Sequence, residues 1–318
     1  MAGYLVRRFL QAIVVVLGVV LIVFLLSRMI PGGEARAVLG ERASPQAIAR
    51  FNEVQGFNEP IWLQFWHYIV GLPQLHLGYS YKFTQPVWNI ISTRLPKTLV
   101  LVGTAVVLAL VVAVPLGVIQ VVRRHKPTDY VLTGFSFILY AMPAFFLGTL
   151  LIIIFAFDLK LLPVSPPSGA SPFAMWTDPK AFIMPVLTLA AVSIATFSRY
   201  MRSSLLDAMA EDYIRTARAK GASNKRVLFG HALRNALIPI ITLLGLTLPV
   251  IVSGAVITED VFNYPGMGLL VVNAAENTDI PLVLGTTLVI TVATVIGSLI
   301  ADILYVLVDP RIRYGGSF

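Results

Sequence analysis

The chain has 318 residues, of which 57% are hydrophobic and only 13% charged, with a formal net charge of +8 and no cysteine. A soluble domain of this length carries about twice that charged fraction, so the composition excludes a water-soluble globule and calls for a membrane-embedded chain. The lack of cysteine excludes disulfides and thiolate metal sites. The apolar runs are continuous and lack a strict period of two, which predicts helices and not barrel strands. The fold class is therefore an all-α integral membrane protein.

Taken in order, Arg7 and Arg8 precede an apolar run from Phe9 to about Ile30, long enough to cross a bilayer. No small-residue cleavage site follows, so residues 1–30 read as a retained first span with Arg28 snorkelling at its end. Residues 31–97 change character: Glu34, Glu41, Glu53 and Glu59 mix with Arg36, Arg42, Arg50, Lys82 and Arg94, and Trp62, Trp66 and Trp88 appear. This is a small extramembrane insertion, with Ser44-Pro45-Gln46 placed to start a helix. Spans are expected over Thr98–Val122, Tyr130–Phe157 with Pro143 inside, Ala181–Phe197, Ala236–Ile257 and Pro281–Val308, giving six. Residues 98–308 form the core and 309–318 a tail. Between Asp158 and Lys180 the prolines predict an extended loop. Pro115, Pro143, Pro185, Pro239 and Pro249 predict kinks.

The segment from Arg199 to Pro239 is charged and water-compatible, with eight bases against three acids. Leu205, Leu206, Met209, Tyr213 or Ile214, and Ala217 recur at helical spacing. Gly221 falls where a helix needs a left-handed stop, and Ser223 is placed to cap the next helix, although Arg226 stands where a capping box needs Glu. The reading is helix, tight turn, helix, tethered to spans on both sides and able to receive a push from a soluble partner. A plain topology signal is the bland alternative. A DNA-reading helix tethered at both ends could hardly dock in a groove, so no nucleic-acid partner is expected.

One membrane face receives Arg7, Arg8, Arg123, Arg124, Lys126, the charged segment, Arg311 and Arg313, fifteen of the 24 bases. The opposite face carries the insertion, the proline-rich loop and the acids Glu259, Asp260, Glu276 and Asp279. The basic face is the cytoplasmic one, so both termini are expected in the cytoplasm. No phosphate-binding lysine loop or hydrolase motif occurs, and Pro265-Gly266-Met267-Gly268 reads as a turn. The four histidines show no ligand spacing. Asp302 alone sits inside an apolar run, where pairing with a nearby Arg is expected over an ion-coupling role.

Tyr213-Ile-Arg-Thr-Ala-Arg-Ala-Lys-Gly221 and His231-Ala-Leu-Arg-Asn-Ala-Leu-Ile-Pro239 together resemble the cytoplasmic loop of binding-protein-dependent ABC importer permeases, dipeptide and oligopeptide branch. Ile30-Pro-Gly-Gly33, Leu77-Gly-Tyr-Ser80, Arg94-Leu-Pro-Lys-Thr98, Val114-Pro-Leu-Gly117 and Asp309-Pro-Arg-Ile-Arg313 extend the resemblance along the chain, to the first ("B") of two paired subunits. Where the family often has Gly-Asp-Pro, this chain reads Gly32-Gly33-Glu34.

The resemblance implies a type I ABC importer transmembrane domain with an extracytoplasmic insertion after its first helix, in a bacterial cell membrane. The implied partners are lipid, a second permease, two cytoplasmic ATPases that bind ATP and Mg, and an extracytoplasmic peptide-binding protein. The chain itself would hold no cofactor or metal and catalyse nothing. Its coupling helix, within the loop 199–235, would seat in an ATPase groove. There Tyr213, Ala217 and Ala219 would offer packing surface, Arg215, Arg218 and Lys220 charge, and Gly221 the turn, with Thr216 between them. Peptide is the first expected cargo, with nickel or a nickel chelate, glutathione, antimicrobial peptide or oligosaccharide as alternatives. A self-sufficient channel, a secondary carrier and a structural anchor are the competing classes.

Overall fold

The computed structural model describes residues 2–29, 33–40, 42–166, 171–253 and 255–308. The tail with Arg311 and Arg313, the Ile30-Pro31-Gly32 stretch, Glu41 and Pro167 lie outside them.

The first span is α1, Ala2–Ser27. The insertion folds as α2 (Gly33–Leu39), α3 (Pro45–Val54) and α4 (Ile61–Gly71), closed by a two-stranded antiparallel hairpin of β1 (Tyr79–Ser80) and β2 (Gln85–Pro86). The Ser44 hydroxyl accepts from the Ala47 amide at 3.2 Å with Pro45 in the first turn, as the sequence predicts. Helix α5, Val87–Val122, starts well before Thr98, so the end of the insertion and the second span are one rod.

Pro96 and Pro115 lie inside α5 without interrupting it, and so does Pro185 inside α9 (Lys180–Ala210). Pro143 does more than kink its span. Met142 before it is extended (φ −79°, ψ 123°), and α6 (Pro127–Ala141) and α7 (Ala144–Leu151) meet at 103°. Crowding by the proline ring keeps the preceding residue out of the helical region, and nothing downstream restores the axis. A π-helical stretch, Ile152–Asp158, continues α7. In the proline-rich loop, one helical turn, α8 (Ala174–Thr177), interrupts the expected extended chain.

Beyond α9 come α10 (Asp212–Ala219), α11 (Leu233–Ser253), α12 (Val256–Val261), α13 (Met267–Glu276) and α14 (Ile280–Val308). Among the described residues, five helices are long and apolar enough to cross a bilayer, and the α6–α7 pair makes a sixth if counted as one crossing. The central packing is α5 along α9, through Leu101, Ala105, Ala109 and Ala113 facing Phe182, Val186, Ala190 and Phe197. Close approach there is built on small residues, as helices in lipid require. A Cβ on Gly117 would lie 2.6 Å from the Met201 side chain.

Two acids assigned to loops from the sequence are fully buried. Glu259 accepts from the Gly268 and Leu269 amides (2.7 and 3.1 Å) and from the Thr98 hydroxyl (2.7 Å), which itself accepts from the Met267 amide (2.8 Å). The carboxylate thus satisfies the unpaired amides that open α13 and joins them to α5. The Pro265-Gly-Met-Gly268 turn is its cradle: a Cβ on Gly266 would sit 2.4 Å from that carboxylate. Burial pushes the Glu259 pKa above its ordinary value, with the hydrogen bonds opposing. Asp279 accepts from the Ser80 hydroxyl (2.5 Å) and the Tyr81 and Lys82 amides (3.3 and 3.1 Å), stitching the hairpin to α14.

Arg28 does not snorkel. It pairs with buried Glu34 at 2.5 Å, and its guanidinium lies 4.7 Å and 4.6 Å from the Phe24 and Phe57 ring centroids. Asp302 pairs with Arg8 at 3.0 Å, the structural partnership expected of it.

Candidate functional site

The charged segment is built on two helices before the glycine, not one. The span helix α9 runs on through Met201 and Leu205 to Ala210, Glu211 turns extended (φ −68°, ψ 151°), and α10 begins. Of the two residues the periodicity left open, Ile214 is the buried one and Tyr213 faces outward. Ile214 packs in a core of Val118, Met201, Leu205, Val227, Ala232, Ala236 and Ile240. That core joins α5, α9 and α11 to α10. Ile214, with Ala217 beside it, therefore seats the short helix on a core that those helices share, in contact with α9 and the Arg226–Ala232 stretch.

The remaining surface of α10 is open. Tyr213, Arg215, Thr216, Arg218, Ala219, Lys220 and Gly221 are exposed, and Ala217 is half-buried. All eight predicted site residues thus lie on α10 and its closing turn. An eight-residue helix cannot hold itself in water, so its order comes from the Ile214 anchor and its ends. The Gly221 amide donates to the Arg218 carbonyl (2.9 Å) and the Ala222 amide to the Ala217 carbonyl (3.1 Å), with Gly221 at φ +79°. That is the paired hydrogen bonding of a left-handed helix stop. The Ser223 hydroxyl then accepts from the Arg226 amide at 3.4 Å, opening the next helix through a π-helical stretch, Arg226–Ala232.

Electrostatically the face is basic. Arg215 pairs with Asp212 at 3.3 Å, but both side chains are almost wholly in water, so this contact adds little. Arg218 and Lys220 stand at the rim, and Tyr213, Thr216, Lys220, Arg226 and His231 border a shallow hollow beside the turn. Nothing in this set is arranged for acid–base or nucleophilic chemistry. The surface is flat at Ala217 and Ala219, charged at the edges, and backed by the core around Ile214.

Sequence reasoning missed the support behind it. Arg202, on α9, donates from Nε and Nη2 to the Asp129 carboxylate (3.3 and 3.2 Å), which also accepts from the His125 amide (3.2 Å). Arg199 lies over the Phe137 and Tyr140 rings at 5.6 and 4.8 Å. Both tie α9 to the first half of the broken span. The available signal was Asp129 as a lone acid just after the Arg123–Lys126 cluster.

Residues 105–314 match the family model described as binding-protein-dependent transport system inner membrane component, and residues 1–102 match the companion model of its N-terminal part. The chain is 38% identical to the oligopeptide transport system permease protein AppB of Bacillus subtilis, over 99% of this chain and 100% of that one. It is 34% identical to the dipeptide transport system permease protein DppB of Escherichia coli, over 99% of each. Against the glutathione transport system permease protein GsiC of Salmonella typhi the identity is 37%, over 99% of this chain and 100% of the relative.

Proposed function

The chain belongs to the family of binding-protein-dependent transport system inner membrane components, and from that premise we propose that it is one of two permease subunits of an ATP-driven di- or oligopeptide importer. The relatives named above carry oligopeptides, dipeptides and glutathione, all of them peptide amides, which supports that cargo class over a metal ion or a sugar. The partners are a second permease, two cytoplasmic ATPases that hold ATP and Mg, and a peptide-binding protein on the side of the insertion. Both termini lie in the cytoplasm of a bacterial cell.

The observation that carries the reading is the one-sided burial of α10. Its inner residue, Ile214, is buried in a core shared by α5, α9 and α11, while Tyr213, Arg215, Thr216, Arg218, Ala219 and Lys220 present a basic outer face. In this reading Tyr213, Thr216, Ala217 and Ala219 lie against the ATPase groove. Arg215, Arg218 and Lys220 meet its rim, and Gly221 lets the chain leave. When the two ATPases close on ATP, α10 is displaced and α9 carries the motion into the spans. The permease performs no covalent chemistry; its part is to convert that displacement into alternating access.

The test is reconstitution of both permeases with their ATPases, with a photo-crosslinking side chain in place of Arg218. Crosslinking to the ATPase, together with ATP-dependent uptake of labelled peptide, is expected. Uptake that proceeds without the ATPases, or an α10 that never meets them, would overturn the reading.

A further inference from the structure

Helix α4 carries an apolar face left open among the described residues. Trp62, Trp66 and Val70 recur every four residues, so they line one side of the helix, and they are 71%, 60% and 50% exposed. The side turned inward is well packed: Phe65 lies 5.2 Å from the Phe24 ring, and Tyr68 joins Ile280 and Leu284. That contact sets the depth of α4. Phe24 is in the last turn of α1, whose outer residues Ile22 and Leu26 are exposed and apolar, and Arg28 follows directly. The helix therefore packs beside the last turns of α1, which for a membrane-crossing α1 is where hydrocarbon gives way to headgroups. Its polar flank points elsewhere: Gln64 donates to the Phe57 and Glu59 carbonyls, and His67 pairs with Glu59 at 3.3 Å.

A second observation lies beneath the end of α4. A crevice of about 540 Å³ runs between α1, α5 and α14, bordered among others by Leu72, Leu75, Trp88, Val16, Leu288 and Val292. Every side chain lining it is apolar. A peptide or protein segment entering it would strand its backbone amides and carbonyls, whereas an acyl chain has no polar group to satisfy.

We infer that α4 is an interfacial plate whose Trp62–Trp66–Val70 face rests in the leaflet on the insertion's side, and that the crevice below its end takes an acyl chain of a bilayer lipid. Paired indoles on one face of a short amphipathic helix suit the headgroup boundary, where each ring can bury its body and keep its N–H wet. The outer residues of α1, the outer face of α4 and the crevice lining are all apolar, and a lipid leaflet is the single occupant that suits all three. The inference rests on the membrane placement of α1 and is independent of cargo and of ATPase docking.

The native chain has no cysteine, so single spin labels can be placed without background from it. Trp66→Cys, His67→Cys and Val292→Cys are labelled in the assembled transporter with cysteine-free partners, reconstituted in phosphatidylcholine vesicles. Relaxation by oxygen and by a water-soluble nickel chelate is then compared. The expected result is oxygen dominance at positions 66 and 292 and chelate dominance at 67. Equal access of the chelate to position 66 would place that face in water. Shielding of position 66 from both reagents would mean a protein partner covers it. Chelate reaching position 292 would make the crevice aqueous. Each of these overturns the assignment, and peptide uptake measured on the same vesicles reports separately on the transport function.

Discussion

Arg202 on α9 and Asp129 on α6 meet in a two-point contact, Nε and Nη2 each within 3.3 Å of a carboxylate oxygen. Asp129 is almost fully buried and Arg202 about two-thirds buried, so truncating the acid leaves a guanidinium without a counter-charge in a low-dielectric setting. Asp129→Ala should destabilise the α6–α9 contact by about 2 kcal/mol, and Asp129→Asn by less. Thermal unfolding of the solubilised protein measures this; equal midpoints for Asp129→Ala and wild type would remove the contact from the stabilising set.

Gly221 holds φ +79° with open space around it, so a substitution there is strained by backbone conformation and not by clash. Gly221→Val should cost about 1–2 kcal/mol locally and misdirect α10 while leaving the spans inserted. ATP hydrolysis should continue and peptide uptake fall. Wild-type uptake in this variant would show that the turn does not transmit motion.

Glu259 answers two backbone amides and a hydroxyl in a fully buried site. Glu259→Gln keeps an acceptor for the amides and a donor for Thr98, so it should fold. Glu259→Ala strands both amides, at about 3 kcal/mol in total.

The sign of the pH effect follows from burial. Because the folded pKa of Glu259 lies above 4.5, the stability that its proton contributes is full below 4.5 and is lost as pH rises through the folded value. Unfolding midpoints measured across that range should therefore decline in wild type relative to Glu259→Gln; parallel curves would count against a raised pKa.

Asp302 and Arg8 form a pair that is partly open to solvent. Asp302→Asn should cost less than about 1 kcal/mol and leave ATP-driven uptake and its pH profile unchanged. A flattened pH profile in that variant would make Asp302 a proton-handling residue.

The apolar spans, the Ser44 cap and the left-handed stop at Gly221 were legible because each depends on neighbours along the chain, and Asp302 was legible as an acid in an apolar run that needs a basic partner, though not that the partner is Arg8. Others depended on distant partners. Glu259 and Asp279 read as loop charges, since what buries them, Thr98 and the 80–82 hairpin, is far away in sequence. Arg28 read as a snorkelling residue because Phe57 and Glu34 come back to it only through the fold of the insertion. Pro143 read as a kink because ring–backbone crowding predicts a bend and not its size, and packing of α7 against α12 and α9 sets the 103°. On α10, periodicity could not choose between Tyr213 and Ile214; the core around Leu205 did.

Helix α9 is a single rod of 31 residues, about 46 Å long, with its only interior proline, Pro185, close to the far end. Such a rod behaves as an oar. Helix α5 grips the shaft along the seam from Leu101 to Ala113, and most closely where Gly117 admits Met201. In the importer we propose, travel at Glu211 is passed up this shaft into the spans. Closing the Gly117 notch with a bulkier residue would force that seam apart without altering the exposed face of α10.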